Sequence, residues 1–265
     1  MISARFGSAC YAQYPISTGL QHLPSVAAIR FPPLRRLVLE SIPMVQPRFI
    51  LASNSPRRRQ MMVWTGWEFF VNAAGINEDP LPGEHPAAYV TRLAAQKARA
   101  VANQRPDGGF ILAADTTVAD NGQILGKPAN AAEARRMLVG LRGRIHQVYT
   151  ALALLDTRSG VLRQDACVSL VAMRNYSDEE IERYILSGDP FDKAGGYAIQ
   201  HAGFQPVEGF GGCIASVMGF PLCHLTRLAR QFALTPPQDA ARACQSNLEY
   251  ACPVSAAVLR GEDAG

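Results

Sequence analysis

Residues 49–59 read FILASNSPRRR and join a short apolar strand to the start of a helix. Ser55 has the small polar side chain that favours the N-cap position, and Pro56 suits the first helical position. The free N–H groups of a helix start attract anions, and Arg57 and Arg58 would add donors for a phosphate. The segment lacks the glycines and the lysine of a P-loop. It therefore predicts either a phosphate site of another kind or an ordinary helix start with solvated arginines.

Strands and helices alternate on the C-terminal side of this stretch. Hydrophobic periodicity predicts strands at 67–71, 110–114, 145–155 and 161–173. Periodicity and capping residues predict helices at 86–103, 131–141 and 221–233, and a further helix that starts after Ser177. Turn signals predict a hairpin at Asn121-Gly122 and a glycine-rich loop at 188–212. The hairpins make some neighbouring strands antiparallel. The sequence therefore predicts an α/β fold with a mixed sheet.

A carboxylate follows one of the predicted strands. Asp115 comes directly after the apolar run 110–114 and precedes Thr116 and Thr117. Ligands of open α/β sheets bind beyond the carboxyl ends of strands, where a carboxylate holds a divalent cation or orients a water molecule. The alternative is an aspartate that only caps a turn.

Three lysines stand near these elements. Lys97 borders the apolar stripe of the helix at 86–103, Lys127 follows the predicted hairpin, and Lys193 lies beside Asp192 in the glycine-rich loop. A lysine such as Lys97 is usually a residue at the edge of the core whose charged end stays in water. Taken with the carboxylates, these cations indicate a site for a metal-bound polyphosphate, because a triphosphate carries about four negative charges that must be neutralised.

The composition narrows the class of protein. Hydrophobic residues make up 48% of the 265 residues and charged residues 18%, which excludes a disordered polar chain. No apolar run approaches the roughly 18 residues of a membrane span, and a net charge of +4 gives little support for nucleic-acid binding. The six cysteines form no CxxC pair and the five histidines no HExxH motif, so the pattern indicates reduced thiols in a cytoplasm and no zinc site.

Residues 1–43 differ from the rest of the chain. They contain four arginines and one glutamate, and therefore carry +3 of the net +4 charge, with scattered prolines and no clear period. We expect a disordered extension, or sequence upstream of a start at Met44, with an organelle transit peptide as the alternative. The expected domain then covers residues 44–235, and residues 236–265 form a tail.

Five short motifs together resemble one protein family. They are LASNSPRR at 51–58, ADTTV at 114–118, GKP at 126–128, DKAGGYAIQ at 192–200 and VMGFPL at 217–222. In this order, over about residues 48 to 232, they are similar to the motifs of the Maf family of nucleoside triphosphate pyrophosphatases. The resemblance implies a three-layer α/β/α fold of the Maf and ITPase kind, with a twisted mixed sheet and a deep cleft between two lobes.

The resemblance also implies a reaction, hydrolysis of a nucleoside triphosphate to the monophosphate and pyrophosphate. Asp115 falls on the family's proton acceptor for the attacking water. Glu78 falls on a metal ligand, which would bind Mg²⁺ or Mn²⁺ together with Asp115. Lys97 and Lys127 fall on catalytic lysines. The substrate-binding positions fall on Ser53, Arg57, Arg58, Thr116, Asp192, Lys193 and Gln200.

Substrate preference is implied by three of these positions. Arg57, Thr116 and Gln200 resemble the residues at these positions in the family branch that acts on dTTP and UTP. The resemblance implies Trp, Gln and Glu at the same positions for the branch that acts on 7-methyl-GTP. The chain also departs from the family pattern. Asn77 replaces the usual Asp before Glu78, Ser216 replaces an Asn, and His201 replaces a Gly. We expect these three changes to affect the turnover number and the choice of nucleotide base.

Two other functional classes stay open at this point. One is a non-catalytic nucleotide-binding regulator, for example of septum formation, and the other is a nucleic-acid-binding protein that uses the arginines of residues 1–43. The carboxylates and lysines argue against the first, and the near-neutral charge of the remaining chain argues against the second. We therefore expect a cytoplasmic enzyme with no nucleic-acid or membrane partner; the family resemblance implies a homodimer.

Overall fold

A computed structural model describes residues 48–73, 75–105 and 109–264, so the extension expected at 1–43 lies outside the described residues. The strands are β1 (Phe49–Leu51), β2 (Phe69–Val71), β3 (Phe110–Asp120), β4 (Gln123–Leu125), β5 (Ile145–Asp156), β6 (Leu162–Met173) and β7 (Val207–Gly211). The helices are α1 (Pro56–Val63), α2 (Pro86–Gln104), α3 (Ala131–Leu141), α4 (Asp178–Leu186), α5 (Ile214–Val217), α6 (Leu222–Arg230), α7 (Ala240–Asn247) and α8 (Ser255–Leu259). Within these ranges, no helix combines the length and the apolar character that crossing a bilayer requires.

The predicted helix starts are confirmed by their caps. The Ser55 hydroxyl accepts a hydrogen bond from the Arg58 N–H at 3.5 Å, and Asn130 caps α3 through the Glu133 N–H at 3.0 Å. Ser177 forms a full capping box at the start of α4. Each cap satisfies an N–H group that has no partner inside its helix.

The seven strands form one sheet, which is mixed as predicted. Its order is β2-β1-β3-β5-β6-β7, with β4 paired to β3. Strand β1 runs parallel to β2 and β3, while β5 runs antiparallel to both β3 and its hairpin partner β6. The β3–β4 turn has positive φ at Asn121 and Gly122, which matches the right-handed twist of the sheet.

Helices cover both faces of the sheet, which confirms the three-layer architecture. Successive residues of β3 alternate between the faces: Ile111 packs with the Leu93 face of α2, and Leu112 packs with Leu225 of α6. A third cluster, around Leu138 of α3, covers the far ends of the long strands. Full burial of a leucine side chain contributes about 1.5–3 kcal/mol, so these clusters anchor both helix layers.

Strand β3 is longer than the predicted strand at 110–114. It pairs with β5 from Phe110 as far as Ala119, so Asp115 lies in the middle of a strand and not at its end. The threonines and Val118 that follow Asp115 are β-branched and suit a strand. The prediction of a turn or strand end at Asp115 is therefore wrong. The strand that ends nearby is the parallel neighbour β1, whose last residue Leu51 pairs with Leu112.

Two further segments differ from the sequence predictions. The loop at 188–212 contains two 3₁₀ turns, Asp189–Asp192 and Ala194–Gly196, and the edge strand β7. The glycines at 209 and 211 concealed this strand from a pattern analysis. Beyond residue 235 the chain forms α7 and α8, and Ala240 and Cys244 are buried against the α6 layer. The domain limits at 44 and 235 stay a prediction.

Candidate active site

A cavity of about 780 Å³ opens where β1 ends and β3 continues. The start of α1, the middle of β3 and the loops around 126, 192 and 218 form its walls. The predicted site residues that line it are Ser53, Arg57, Arg58, Glu78, Lys97, Asp115, Thr116, Lys127, Asp192 and Lys193. The fold thus brings together residues that are spread over 141 positions of the chain.

Lys97 lies between two carboxylates at the base of the cavity. Its Nζ donates to Asp115 Oδ1 at 2.5 Å and pairs with Glu78 Oε1 at 2.8 Å. Helix α2 places Lys97 there because its inward face packs on β3, so the lysine is buried and does not reach out to water. The buried charge has partners, as buried charges require.

The two carboxylates have pKa values displaced in opposite directions. Burial raises the pKa of Asp115 above its ordinary value, against the attraction of Lys97 and Arg58. Burial also acts to raise the pKa of Glu78, but the hydrogen bond and charge of Lys97 hold that pKa below its ordinary value. A carboxylate with a raised pKa accepts a proton more readily, so Asp115 is the better proton acceptor of the pair.

The carboxylate pair also suits a hard divalent cation. One cation, the Lys97 ammonium, contacts both Glu78 and Asp115, so their oxygens converge on a common space. Mg²⁺ is usually held by one or two carboxylates and completes its shell with water and substrate phosphates. Within residues 48–73, 75–105 and 109–264, no third carboxylate, histidine or cysteine completes a cluster with them. Asn77 does not supply a third ligand, because its Oδ1 accepts a hydrogen bond from the Asp79 N–H at 2.8 Å.

Arg58 is held by the backbone of two distant segments. Its Nη1 donates to the Ala114 carbonyl at 2.7 Å, and its Nε donates to the Gly219 carbonyl at 3.0 Å. Its Nη2 donates to Thr116 Oγ1 at 3.1 Å. Its Nη1 also donates to Ser53 Oγ at 3.5 Å. Four of its five N–H donors therefore bind the protein, and Arg58 supplies the cavity mainly with fixed positive charge.

Thr150 and Gly219 belong to the site, although sequence reasoning missed them. Thr150 Oγ1 donates to the Ser216 carbonyl at 2.8 Å and lies 2.9 Å from Thr116 Oγ1. Gly219 has φ +95°, and a Cβ there would lie 3.0 Å from Thr116 Oγ1 and 3.4 Å from Arg58 Nε. The glycine in the VMGFPL motif is the signal that points to this close approach.

Replacing Gly219 with Ala is expected to lower the free energy of unfolding by about 2–3 kcal/mol. About 1–2 kcal/mol comes from the left-handed backbone and the rest from crowding against Thr116 and Arg58. The control is Gly83→Ala, because Gly83 has φ +69° but open space around its Cβ position. Urea denaturation of both variants separates the two costs, and equal losses would contradict the crowding argument.

The loop that carries Lys193 folds back on the lysine. Lys193 Nζ contacts Asp189 Oδ1 at 2.8 Å and Asp192 Oδ1 at 2.6 Å, so its charge is largely balanced inside its own turn. Gly195, at φ +68°, lets this loop pack against β3, since a Cβ there would lie 2.9 Å from Val118 Cγ2. Lys127 lines the same cavity and is exposed to solvent, where it is available to a ligand.

Gln200 is the predicted site residue that the structure does not bring to the cavity. Its neighbour Ile199 lines the cavity, whereas Gln200 is exposed at the end of the loop. His201, which replaces a glycine of the family pattern, makes a hydrogen bond within its own loop. Its Nδ1 accepts from the Phe204 N–H at 2.9 Å.

Comparison with known proteins gives the same assignment as the motifs. The model of the family described as Maf-like protein matches residues 48–232. A dTTP/UTP pyrophosphatase of Thermomicrobium roseum is 46% identical over 194 residues, covering 72% of this chain and 87% of that protein. Those of Citrifermentans bemidjiense and Geobacter sulfurreducens are each 43% identical, covering 71% of this chain and 96% and 98% of the relative, respectively. The chain described here therefore belongs to the Maf family.

Proposed function

We propose that this protein is a nucleoside triphosphate pyrophosphatase that hydrolyses dTTP and UTP to the monophosphate and pyrophosphate. The observation that carries the proposal is the buried Asp115–Lys97–Glu78 arrangement at the base of a cavity that also contains Arg57 and Lys127. The choice of substrate follows the relatives that are 43–46% identical to this chain, which are dTTP/UTP pyrophosphatases.

In the proposed reaction, Asp115 accepts a proton from the attacking water as the water oxygen bonds to the α-phosphorus. The bond from that phosphorus to the α–β bridging oxygen breaks, and the bridging oxygen leaves with pyrophosphate. Lys97 fixes the Asp115 carboxylate and offsets negative charge that develops beside it. Arg57, Arg58 and Lys127 add positive charge along the phosphates.

A divalent cation completes the proposed site. Glu78 and Asp115 would hold Mg²⁺ or Mn²⁺, which would neutralise charge on the phosphate oxygens. Lys97 would then pair with whichever carboxylate oxygens the cation leaves free. The pairing of Lys97 with both carboxylates supports this only in showing that the two side chains face a common space that attracts positive charge.

Base selection is proposed to depend on Arg57, Thr116 and Gln200. Thr116 Oγ1 is fixed by Arg58 and Thr150, so it presents a defined hydrogen-bonding direction. The amide of Gln200 can both donate to and accept from the carbonyl–NH–carbonyl edge of thymine and uracil. Gln200 is exposed and lies outside the cavity lining, so in this proposal the loop after Ile199 closes on the base to bring the amide into contact.

The kcat/KM values for dTTP and UTP are expected to exceed those for GTP, ATP and 7-methyl-GTP by about tenfold or more, which needs about 1.4 kcal/mol of selective binding in the transition state. The measurement is pyrophosphate release from each triphosphate at one Mg²⁺ concentration. Gln200→Glu should weaken the preference, while Gln205→Glu in the same loop should not.

The same assay distinguishes the alternatives. Nucleotide binding without release of pyrophosphate would favour a non-catalytic regulator. A preference for 7-methyl-GTP or another purine would overturn the substrate choice and leave the reaction intact. An unchanged preference in Gln200→Glu would remove Gln200 from the specificity set.

A further inference from the structure

Three side chains that are far apart in the sequence meet under α6, away from the nucleotide cavity. They are Cys167 of β6, Cys213 at the start of α5 and His224 of α6. One potential ligand atom from each lies within 4.8 Å of the others, and all three residues are at most 4% exposed. Local cysteine and histidine spacing gives no sign of this cluster, because the three residues come from three separate elements.

Two polar atoms at this cluster lack a hydrogen-bond partner in the surrounding protein. Among the described residues, neither His224 Nδ1 nor the nearby Ser216 Oγ has a hydrogen-bond partner, and both residues are buried. A buried polar atom without a partner costs about 1–3 kcal/mol. His224 Nδ1 is therefore a ring nitrogen that is available to a ligand.

We propose that Cys167, Cys213 and His224 form a buried site for a thiophilic divalent metal ion, Zn²⁺ by preference. Thiolates and imidazole together select zinc over the hard cations that carboxylates bind. Tetrahedral zinc, with Zn–S bonds of about 2.3 Å and Zn–N bonds of about 2.0 Å, places its ligand atoms roughly 3.5–3.9 Å apart. The ligand atoms of the cluster lie within 4.8 Å of one another, which is compatible with that spacing, and the Ser216 hydroxyl beside Cys167 is a nearby fourth donor.

Charge balance favours metal in this environment. The cluster lies among apolar residues that include Leu222 and Leu225, where a net charge is costly. Zn²⁺ displaces one proton from each thiol, the two protons go to the buffer, and the resulting complex of Zn²⁺ with two thiolates is neutral.

The ion would connect elements that shape the nucleotide cavity without touching the substrate. Cys213 begins the segment that runs through α5 to Gly219, whose carbonyl holds Arg58. Through the ion, His224 would fix α6 behind this segment, and Cys167 would tie both to strand β6. The site is therefore structural, and its loss should first be detected as lower stability.

The first experiment measures metal in the full chain produced in zinc-containing medium. Protein purified in excess Mg²⁺, which occupies the carboxylate site, is expected to contain about one zinc per chain by elemental mass spectrometry. Cys213→Ser and His224→Gln should retain at least about tenfold less zinc and melt at a lower temperature. The matched control is Cys244→Ala, which removes a buried thiol of the same apolar layer that is not in the cluster.

A second experiment needs no variant and therefore does not depend on whether the substitutions fold. Wild-type protein refolded with Co²⁺ should show thiolate-to-cobalt charge-transfer absorption in the near ultraviolet, which cobalt bound to carboxylates does not give. Absence of both zinc and this absorption would overturn the proposal. So would a Cys167–Cys213 disulfide in the isolated protein, or the absorption persisting in a Cys167→Ser/Cys213→Ser double variant.

Discussion

Replacing Asp115 with Asn is expected to lower kcat by about a hundredfold or more, the scale of losing a general base. Asn has nearly the same shape and still accepts the Lys97 hydrogen bond, which is 2.5 Å long in the wild-type protein. It cannot take a proton from water. Burial raises the pKa of Asp115, so the charged form is disfavoured in the folded state and the variant should be at least as stable near neutral pH.

The matched control is Asp120→Asn, which removes a carboxylate at the end of the same strand, where Asp120 pairs with Arg144. It should keep wild-type kcat. In the wild-type protein, kcat should fall with decreasing pH through the raised pKa of Asp115, because protonation removes the acceptor. The residual activity of Asp115→Asn should lack this dependence. Near-normal turnover in Asp115→Asn would contradict the role of Asp115.

The parts of the fold that were predicted correctly depend on local patterns. Residues 49–59 contain a complete strand end, an N-cap and a proline at the first helical position, and each acts within one turn of chain. The hairpin at Asn121-Gly122 and the capping box at Ser177 are equally local. Such signals act within a few residues and do not depend on distant segments. They can therefore be recognised in a single sequence.

The missed features depend on contacts between distant segments. The length of β3 beyond Asp115 is set by pairing with β5, because the β-branched residues 116–118 favour a strand but do not determine where it ends. The position of Thr150 beside Thr116 follows from that same register. The family resemblance supplied most of the cavity residues, but it did not indicate that Arg58 is tied to Gly219 or that Gln200 is exposed.

Replacing Lys97 with Met is expected to cut kcat by about a hundredfold and to lower the free energy of unfolding by about 3 kcal/mol. Met retains much of the apolar stem but removes the positive charge between Glu78 and Asp115. Asp115 is almost fully buried, so its charge loses its nearest partner and its pKa rises further. Arg99→Met, on the outward face of the same helix, is the control and should change neither quantity appreciably.

The double variant Lys97→Met/Asp115→Asn separates the two effects. Removing both charges leaves no unpaired buried ion, so the double variant should recover most of the lost stability. It should not recover kcat, because the proton acceptor and its positioning cation are both gone. Urea denaturation and pyrophosphate release, measured on the same four proteins, complete the cycle. If Lys97→Met alone kept kcat within about threefold of wild type, Lys97 would be a structural counter-ion of Asp115 and would have no part in the reaction.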